Sequence, residues 1–182
     1  DVTAAVLGEL NFGAAREYKN VAVVTLGTGL GFAHAIDREI QYSPMGSPLV
    51  SIYNRPYRDG VLEDYASKRG FLRAYADVRG EANPDNLTVA LIGGMCGQGD
   101  EQALETFRRV GEILATELIE KYSIECLLFG GQISRSFCYM EPVIARLKEE
   151  VPSLKHLSPM ANLSTAAPLG LLSKLRSELK LQ

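Results

Sequence analysis

The hydrophobic pattern changes period several times along the 182 residues. Residues 2–16 are rich in Ala, Leu and Glu and predict a helix, with a break near Asn11-Phe12-Gly13. Asn20–Leu26 is a β-branched run, and Leu30–Ile36 is a second strand. Glu39–Tyr42 is a short third strand after a turn at Asp37-Arg38, so the three predict a meander. From Ser43 to Gly60 the chain carries Pro44, Gly46, Pro48, Pro56 and Gly60, so a long loop is expected. Loops of that length inside compact domains are often functional. A helix opens at Asp59 or Gly60 and runs through "VLEDYASKRGFLRAYADVRG" with a break at Gly70. "GEANPDN" is a loop. "LTVALIGGM" has strand propensity, yet Thr88 stands where it could cap a short helix.

The clearest helical period is in "GDEQALETFRRVGEILATELIEKY". There Ala103, Phe107, Val110, Gly111, Leu114 and Leu118 share one face and charged residues fill the other. That apolar face could bury in the core or against a second subunit, so a homodimer is among the expected partners. "IECLLFGG" is apolar on both faces, the pattern of a central parallel strand. "YMEPVIARLKEE" is a helix with Pro142 in its first turn, where a missing N–H costs little. "LKHLSP" reads as a last strand and "AAPLGLLSKLRSEL" as a last helix. No repeat, low-complexity tract or clean linker interrupts the order. The expectation is one α/β domain with a mixed sheet, a meander edge plus later parallel strands.

Composition narrows the class. A chain that is 46% hydrophobic and 23% charged is an ordinary folded protein. At this length it buries roughly 70% of its unfolded surface without needing staples. A net charge of -3 argues against a nucleic-acid surface held by bulk charge. Cys96, Cys126 and Cys138 are widely spaced with no CxxC pair, which disfavours disulfide and zinc frameworks and fits a cytoplasmic protein. No apolar run approaches the ~18 residues of a spanning helix, so no membrane partner is expected. The chain opens at Asp1, without an initiator Met, directly into helical sequence, which reads as a fragment.

Two glycine clusters stand at strand ends. Gly27-Thr28-Gly29-Leu30-Gly31 interrupts the first two strands. It is either a hairpin turn requiring positive φ, or a backbone cleared so that an anion reaches the main-chain amides. Gly130-Gly131-Gln132 follows the buried strand and is either a strand-to-helix turn or a place where a planar ligand approaches the backbone. Gly93-Gly94 and Gly97 read as helix-end punctuation near Cys96. Asp1 ahead of a helix reads as an N-cap. Glu63 and Asp64 fall in a first helical turn, where carboxylates suit the macrodipole. His34 and His156 have no metal-type partner in the sequence. There is no GxSxG, Cys/His or HExxH signature.

Several motifs occur together. "DVTAAVLGELNFGAAREYKNVAVVTLGTGLGFAHAI" resembles the start of the carboxyl-terminal lobe of the ROK family (repressors, open reading frames and sugar kinases). The matching residues are Asp1, Ala4, Ala5, Gly8, Glu9, Tyr18, Lys19, Asn20, Gly27, Thr28, Gly29 and Gly31. "LEDYASKRG" is similar to the family's LE-x-x-x-S helix, "GDEQALETF" to its Gly-Asp-x-x-Ala helix, and "LLFGGQIS" to its strand ending in Gly-Gly-x-Ile-Ser. The resemblance runs in order through nearly the whole chain. It implies an actin-like, ribonuclease-H-like ATPase fold, with this chain as the second lobe and most of the first lobe absent.

By that resemblance the protein is an ATP-dependent kinase of a hexose or glycoside, using ATP and Mg²⁺. Asp1 is then the general base. Gly27, Thr28 and Gly29 hold ATP phosphates, Gly130 and Gly131 lie by the adenosine, and Glu63 contacts the sugar. The family's regulator branch, a non-catalytic sugar sensor, is the alternative. It would bind nucleic acid only through a helix-turn-helix upstream of Asp1. The sequence also departs from the family. Pro44 and Ser47 stand where a Glu and a His are usual, and no cysteine occurs from Ser43 to Glu63, so no zinc is expected. That loop must be ordered by other means, with Tyr53, Tyr57 and the prolines as candidates. Thr3 also replaces an Asn of the first motif.

Overall fold

The computed structural model describes residues 2–118, 123–161 and 166–179. Its main sheet has five strands in the order β3-β2-β1-β6-β7. β1 (Val21–Leu26) and β2 (Leu30–Ile36) form the predicted hairpin, and β3 (Glu39–Ile40) adds a short antiparallel edge. β6 (Cys126–Gly130) lies parallel to β1 on one side and to β7 (His156–Pro159) on the other. The meander followed by parallel strands is therefore as the pattern predicts.

Alternation explains why the central strands are wholly apolar. Ala22, Val24 and Leu26 of β1, with Leu127 and Phe129 of β6, face a large core shared with α5 (Glu101–Leu118). Val21 and Val23, with Cys126 and Leu128, face a second core under α1 (Val2–Phe12). Both faces are thus covered by helices, as central parallel strands require. Helix α8 (Ala166–Leu179) packs outside α1, close enough that a Cβ on Gly170 would lie 2.0 Å from the Ala4 carbonyl oxygen.

Phe107, Val110 and Leu114 of α5 are completely buried, and Phe107 lies 5.0 Å from Phe71 and 5.8 Å from Tyr139 between ring centroids. The apolar face considered for a second subunit is therefore core. The stretch after Leu118 in the predicted helix, residues 119–122, lies outside the described residues.

Three local expectations are corrected. The helix after Gly60 breaks at Ser67, between α2 (Leu62–Ala66) and α3 (Lys68–Arg79), where Ser67 is extended at φ -118° and ψ -173°. Gly70 is helical instead. It is glycine because a Cβ there would sit 2.2 Å from the Tyr65 carbonyl carbon, so it allows α3 to fold back on α2. The loop from Ser43 to Gly60 holds a small hairpin, β4 (Pro56–Tyr57) against β5 (Gly60–Val61). The "YMEPVIARLKEE" segment divides into α6 (Glu141–Ile144) and α7 (Leu147–Glu150). The ambiguous "LTVALIGGM" forms α4 (Val89–Gly97), its Leu91 N–H donating to the Thr88 hydroxyl.

The loop is anchored at two points. Ile52 is buried in the main core, and the Arg55 guanidinium donates 3.1 Å to the Glu117 carbonyl at the end of α5. Among the candidates named from sequence, Tyr57 packs edge-on at 5.0 Å against Tyr65, and Pro48 bridges to Tyr42. Tyr53 is half exposed; the contribution of its residue is the carbonyl, which accepts the Glu63 amide at 3.0 Å.

Candidate functional site

Parallel pairing of β1 with β6 sets Thr25 opposite Gly130, so both glycine clusters emerge at the same carboxyl-terminal edge of the sheet. Ligands of open α/β sheets gather at such edges. A cleft of about 370 Å³ opens there, lined by residues 25–31 of the hairpin together with Glu63 and Gly131.

The glycines of this cleft have different physical reasons. None of Gly27, Gly29 and Gly31 has the positive φ expected of the turn. Gly31 is small because a Cβ would strike the Thr25 hydroxyl at 2.2 Å, and Gly29 because it would lie 2.8 Å from Glu63 Oε2. At Gly27 a Cβ would meet nothing within 4 Å. Neither backbone conformation nor packing demands glycine there; what a side chain would fill is the cleft. Gly131, in contrast, is fixed by the fold: its φ is +84° and a Cβ would sit 2.2 Å from the Leu26 carbonyl oxygen. Gly130 is held small by the Met160 sulfur, 2.3 Å from an added Cβ. It also accepts a hydrogen bond from the Ser134 hydroxyl.

Hydrogen bonding at the hairpin tip is lopsided. Gly27 N–H donates to Gly29 O at 3.1 Å, and Gly27 O accepts the Lys68 amide at 2.8 Å. Leu30 N–H donates to Glu63 Oε2 at 2.9 Å. Among the described residues the amides of Thr28 and Gly29 donate to nothing, and Thr28 is exposed. Two adjacent main-chain donors in the lining of the cleft are therefore unpaired, the arrangement that receives anions.

Glu63 is held from two sides. Oε2 takes the Leu30 amide and Oε1 pairs with Arg69 at 2.9 Å, while Arg69 also reaches Asp64 at 2.8 Å. Asp64 accepts the Val61 amide at 3.0 Å and so caps α2, the structural role its position suggests. Asp1 lies outside the described residues. Val2, the next residue, opens α1 with its Cβ 3.4 Å from the Cβ position of Gly31. The structure thus brings Gly27, Thr28, Gly29, Glu63 and Gly131 together around one cleft, with Gly130 behind it. Lys68 and Arg69 join this group and went unnoticed in the sequence. The available signal was the Lys-Arg pair directly after the serine of "LEDYAS".

Other candidates resolve into structure. His34 is buried and its pKa is lowered by that burial. His156 stacks on Tyr18 at 5.7 Å. Burial pushes the Cys96 thiol up to about 11 and that of Cys126 to about 12, so neither is a nucleophile near neutrality. A cavity of about 380 Å³ between α3 and α5 is rich in arginine. Its cations are largely spent on partners: Arg73 lies 3.5 Å from Asp59, and Arg108 and Arg109 share Glu105 at 2.6 and 2.8 Å. No described helix is long and apolar enough to cross a membrane.

The mixed sheet, with Gly-Thr-Gly at the tip of its leading hairpin beside a parallel strand ending in Gly-Gly, has the actin-like ATPase fold. Solved structures agree. A ROK family glucokinase from Streptomyces griseus, in complex with glucose and AMPPNP, superposes with a TM-score of 0.77 at 20% identity, over 93% of this chain and 64% of that one. A ROK family transcriptional regulator, a homologue of the E. coli MLC protein, superposes at 0.73 and 19% identity, over 94% of this chain and 50% of its own. Residues 56–167 match the ROK family profile, and the chain belongs to the ROK family. A glucokinase of Streptomyces coelicolor is 35% identical over 114 residues, which are 58% of this chain and 35% of the relative. The match thus spans about a third of that glucokinase's length.

Proposed function

We propose that this chain is the carboxyl-terminal lobe of an ATP-dependent sugar kinase, whose cleft is completed by a preceding lobe. The observation that carries the reading is the hairpin tip. Thr28 and Gly29 line the cleft with amides that donate to nothing among the described residues, beside a glycine at position 27 that neither φ nor packing explains. Donors fixed in this way stabilise negative charge with no reorganisation at the moment of reaction. In this reading Gly27, Thr28 and Gly29 hold the ATP phosphates, and Gly130 and Gly131 let the adenosine approach the end of β6. Glu63, oriented by Leu30 and Arg69, accepts a hydrogen bond from a sugar hydroxyl.

Asp1 is the general base. The sugar hydroxyl oxygen bonds to the γ-phosphorus, the bond from that phosphorus to the bridging oxygen breaks, ADP leaves, and the hydroxyl proton passes to the Asp1 carboxylate. Mg²⁺ would neutralise the phosphate oxygens in such a transfer. Most of the rate would come from positioning, and so from closure of the two lobes. Use of ATP and three unpaired thiols fit the cytoplasm.

The test is a coupled ADP assay on the full-length protein across hexoses, N-acetylhexosamines and glycosides. ADP release that requires one of these sugars supports the kinase; background ADP with every sugar refutes it. The regulator reading draws on one observation, that Pro44 and Ser47 occupy positions where the family usually places sugar contacts. It expects a helix-turn-helix before Asp1 and sugar-dependent operator binding. A phosphate-binding hairpin in that upstream segment would exclude it.

A further inference from the structure

The cleft has a charge problem. Among the described residues its lining includes the Glu63 carboxylate and no Lys, Arg or His, although the proposed occupant is a polyanion. Two cations stand beside it, at the start of α3. Arg69 is committed to Glu63 and Asp64 at 2.9 and 2.8 Å. Lys68 is exposed and has no ion pair among the described residues. Its own amide donates to Gly27 O at 2.8 Å, so its backbone is fastened directly to the hairpin that carries the bare amides.

The fold gives no reason for a lysine here. Helix N-termini favour carboxylates, yet the first turn of α3 has none and begins Lys-Arg. A lysine at this position therefore gains nothing from the helix dipole. Lys68 also falls outside the LE-x-x-x-S positions that carry the family resemblance. We infer that Lys68 binds the phosphate chain of the nucleotide, its four-carbon stem carrying a mobile point charge over the hairpin while Thr28 and Gly29 supply fixed donors from below. This rests on the nucleotide reading above. Arg69 neutralises Glu63, and Lys68 meets the incoming charge.

The experiment is titration calorimetry on the full-length protein with ATP, ADP and adenosine, comparing wild type, Lys68→Ala and Lys68→Arg, with a melting curve for each. One charge-assisted contact corresponds to roughly 10- to 100-fold in affinity. Lys68→Ala is expected to weaken ATP binding by that factor and leave adenosine unchanged. Its ATP affinity should depend less steeply on salt, and its melting temperature should be equal or slightly raised. Lys68→Arg should retain most of the ATP affinity. Wild-type ATP affinity in Lys68→Ala overturns the inference alone. So does an equal loss for adenosine, which would mean Lys68 acts through the fold. A wild-type protein that binds neither ATP nor adenosine overturns the nucleotide reading itself.

Discussion

Replacing two glycines of the same cleft by alanine should have opposite consequences, and the contrast can be worked from the backbone. At Gly131, alanine must adopt φ +84° with ψ 169°, a region open essentially to glycine alone that costs about 1–3 kcal/mol for a residue with a Cβ. That Cβ would also lie 2.2 Å from the oxygen, 2.8 Å from the carbonyl carbon and 2.9 Å from the nitrogen of Leu26. All three are backbone atoms of β1, so no side chain can turn aside and the strand must shift, at about 1–3 kcal/mol for overpacking. The sum is about 2–6 kcal/mol, or roughly 4–24 °C in melting temperature for a chain of this length. At Gly27, alanine needs no left-handed φ and meets nothing within 4 Å, so the melting temperature should hold or rise slightly as the unfolded chain loses freedom. Scanning calorimetry of the full-length protein without ligand reads both. A Gly27→Ala protein that melts as low as Gly131→Ala would refute the reasoning, because the fold would then need glycine at both positions.

Two further outcomes follow from the packing and charge. Phe107→Ala removes a fully buried ring from the core and should cost about 3–5 kcal/mol, with no change in oligomeric state by light scattering; dissociation of an oligomer would return this face of α5 to an interface. Glu125 bonds Lys155 and accepts the amides of Lys19 and Asn20, which hold its carboxyl down at about 2 against an ordinary 4.5. A folded pKa below the unfolded one means stability that is present above pH 4.5 and lost as pH falls toward 2. Glu125→Gln should therefore lower the melting temperature at neutral pH and flatten its decline between pH 4.5 and 2; an unchanged slope would contradict the assignment.

The parts of this fold legible in the sequence are those with sustained periods. The β-branched run Asn20–Leu26 and the apolar run Leu30–Ile36, parted by Gly27-Thr28-Gly29, predict a hairpin, and the doubly apolar "IECLLFGG" predicts a parallel neighbour. What remained hidden depends on approach between distant residues. Gly70 reads as a helix breaker, and only the fold shows that its missing side chain admits the Tyr65 carbonyl while Ser67 makes the break. The β4–β5 hairpin has two residues per strand, too few for any period. Arg55 capping the end of α5, 62 residues away, leaves no local trace. The site follows the same rule. Gly27-Thr28-Gly29 announces itself by composition, whereas the tie of Lys68 to Gly27 O exists only once α3 is laid against the hairpin.

The proposed phosphoryl transfer depends on the hairpin tip receiving a triphosphate, and amide NMR reads this at the residues concerned. Titrating the ¹⁵N-labelled full-length protein with AMPPNP and Mg²⁺ should move the Thr28 and Gly29 resonances saturably, with smaller shifts at Gly131. If those two amides stay in place while others respond, the nucleotide binds elsewhere and the central claim is wrong.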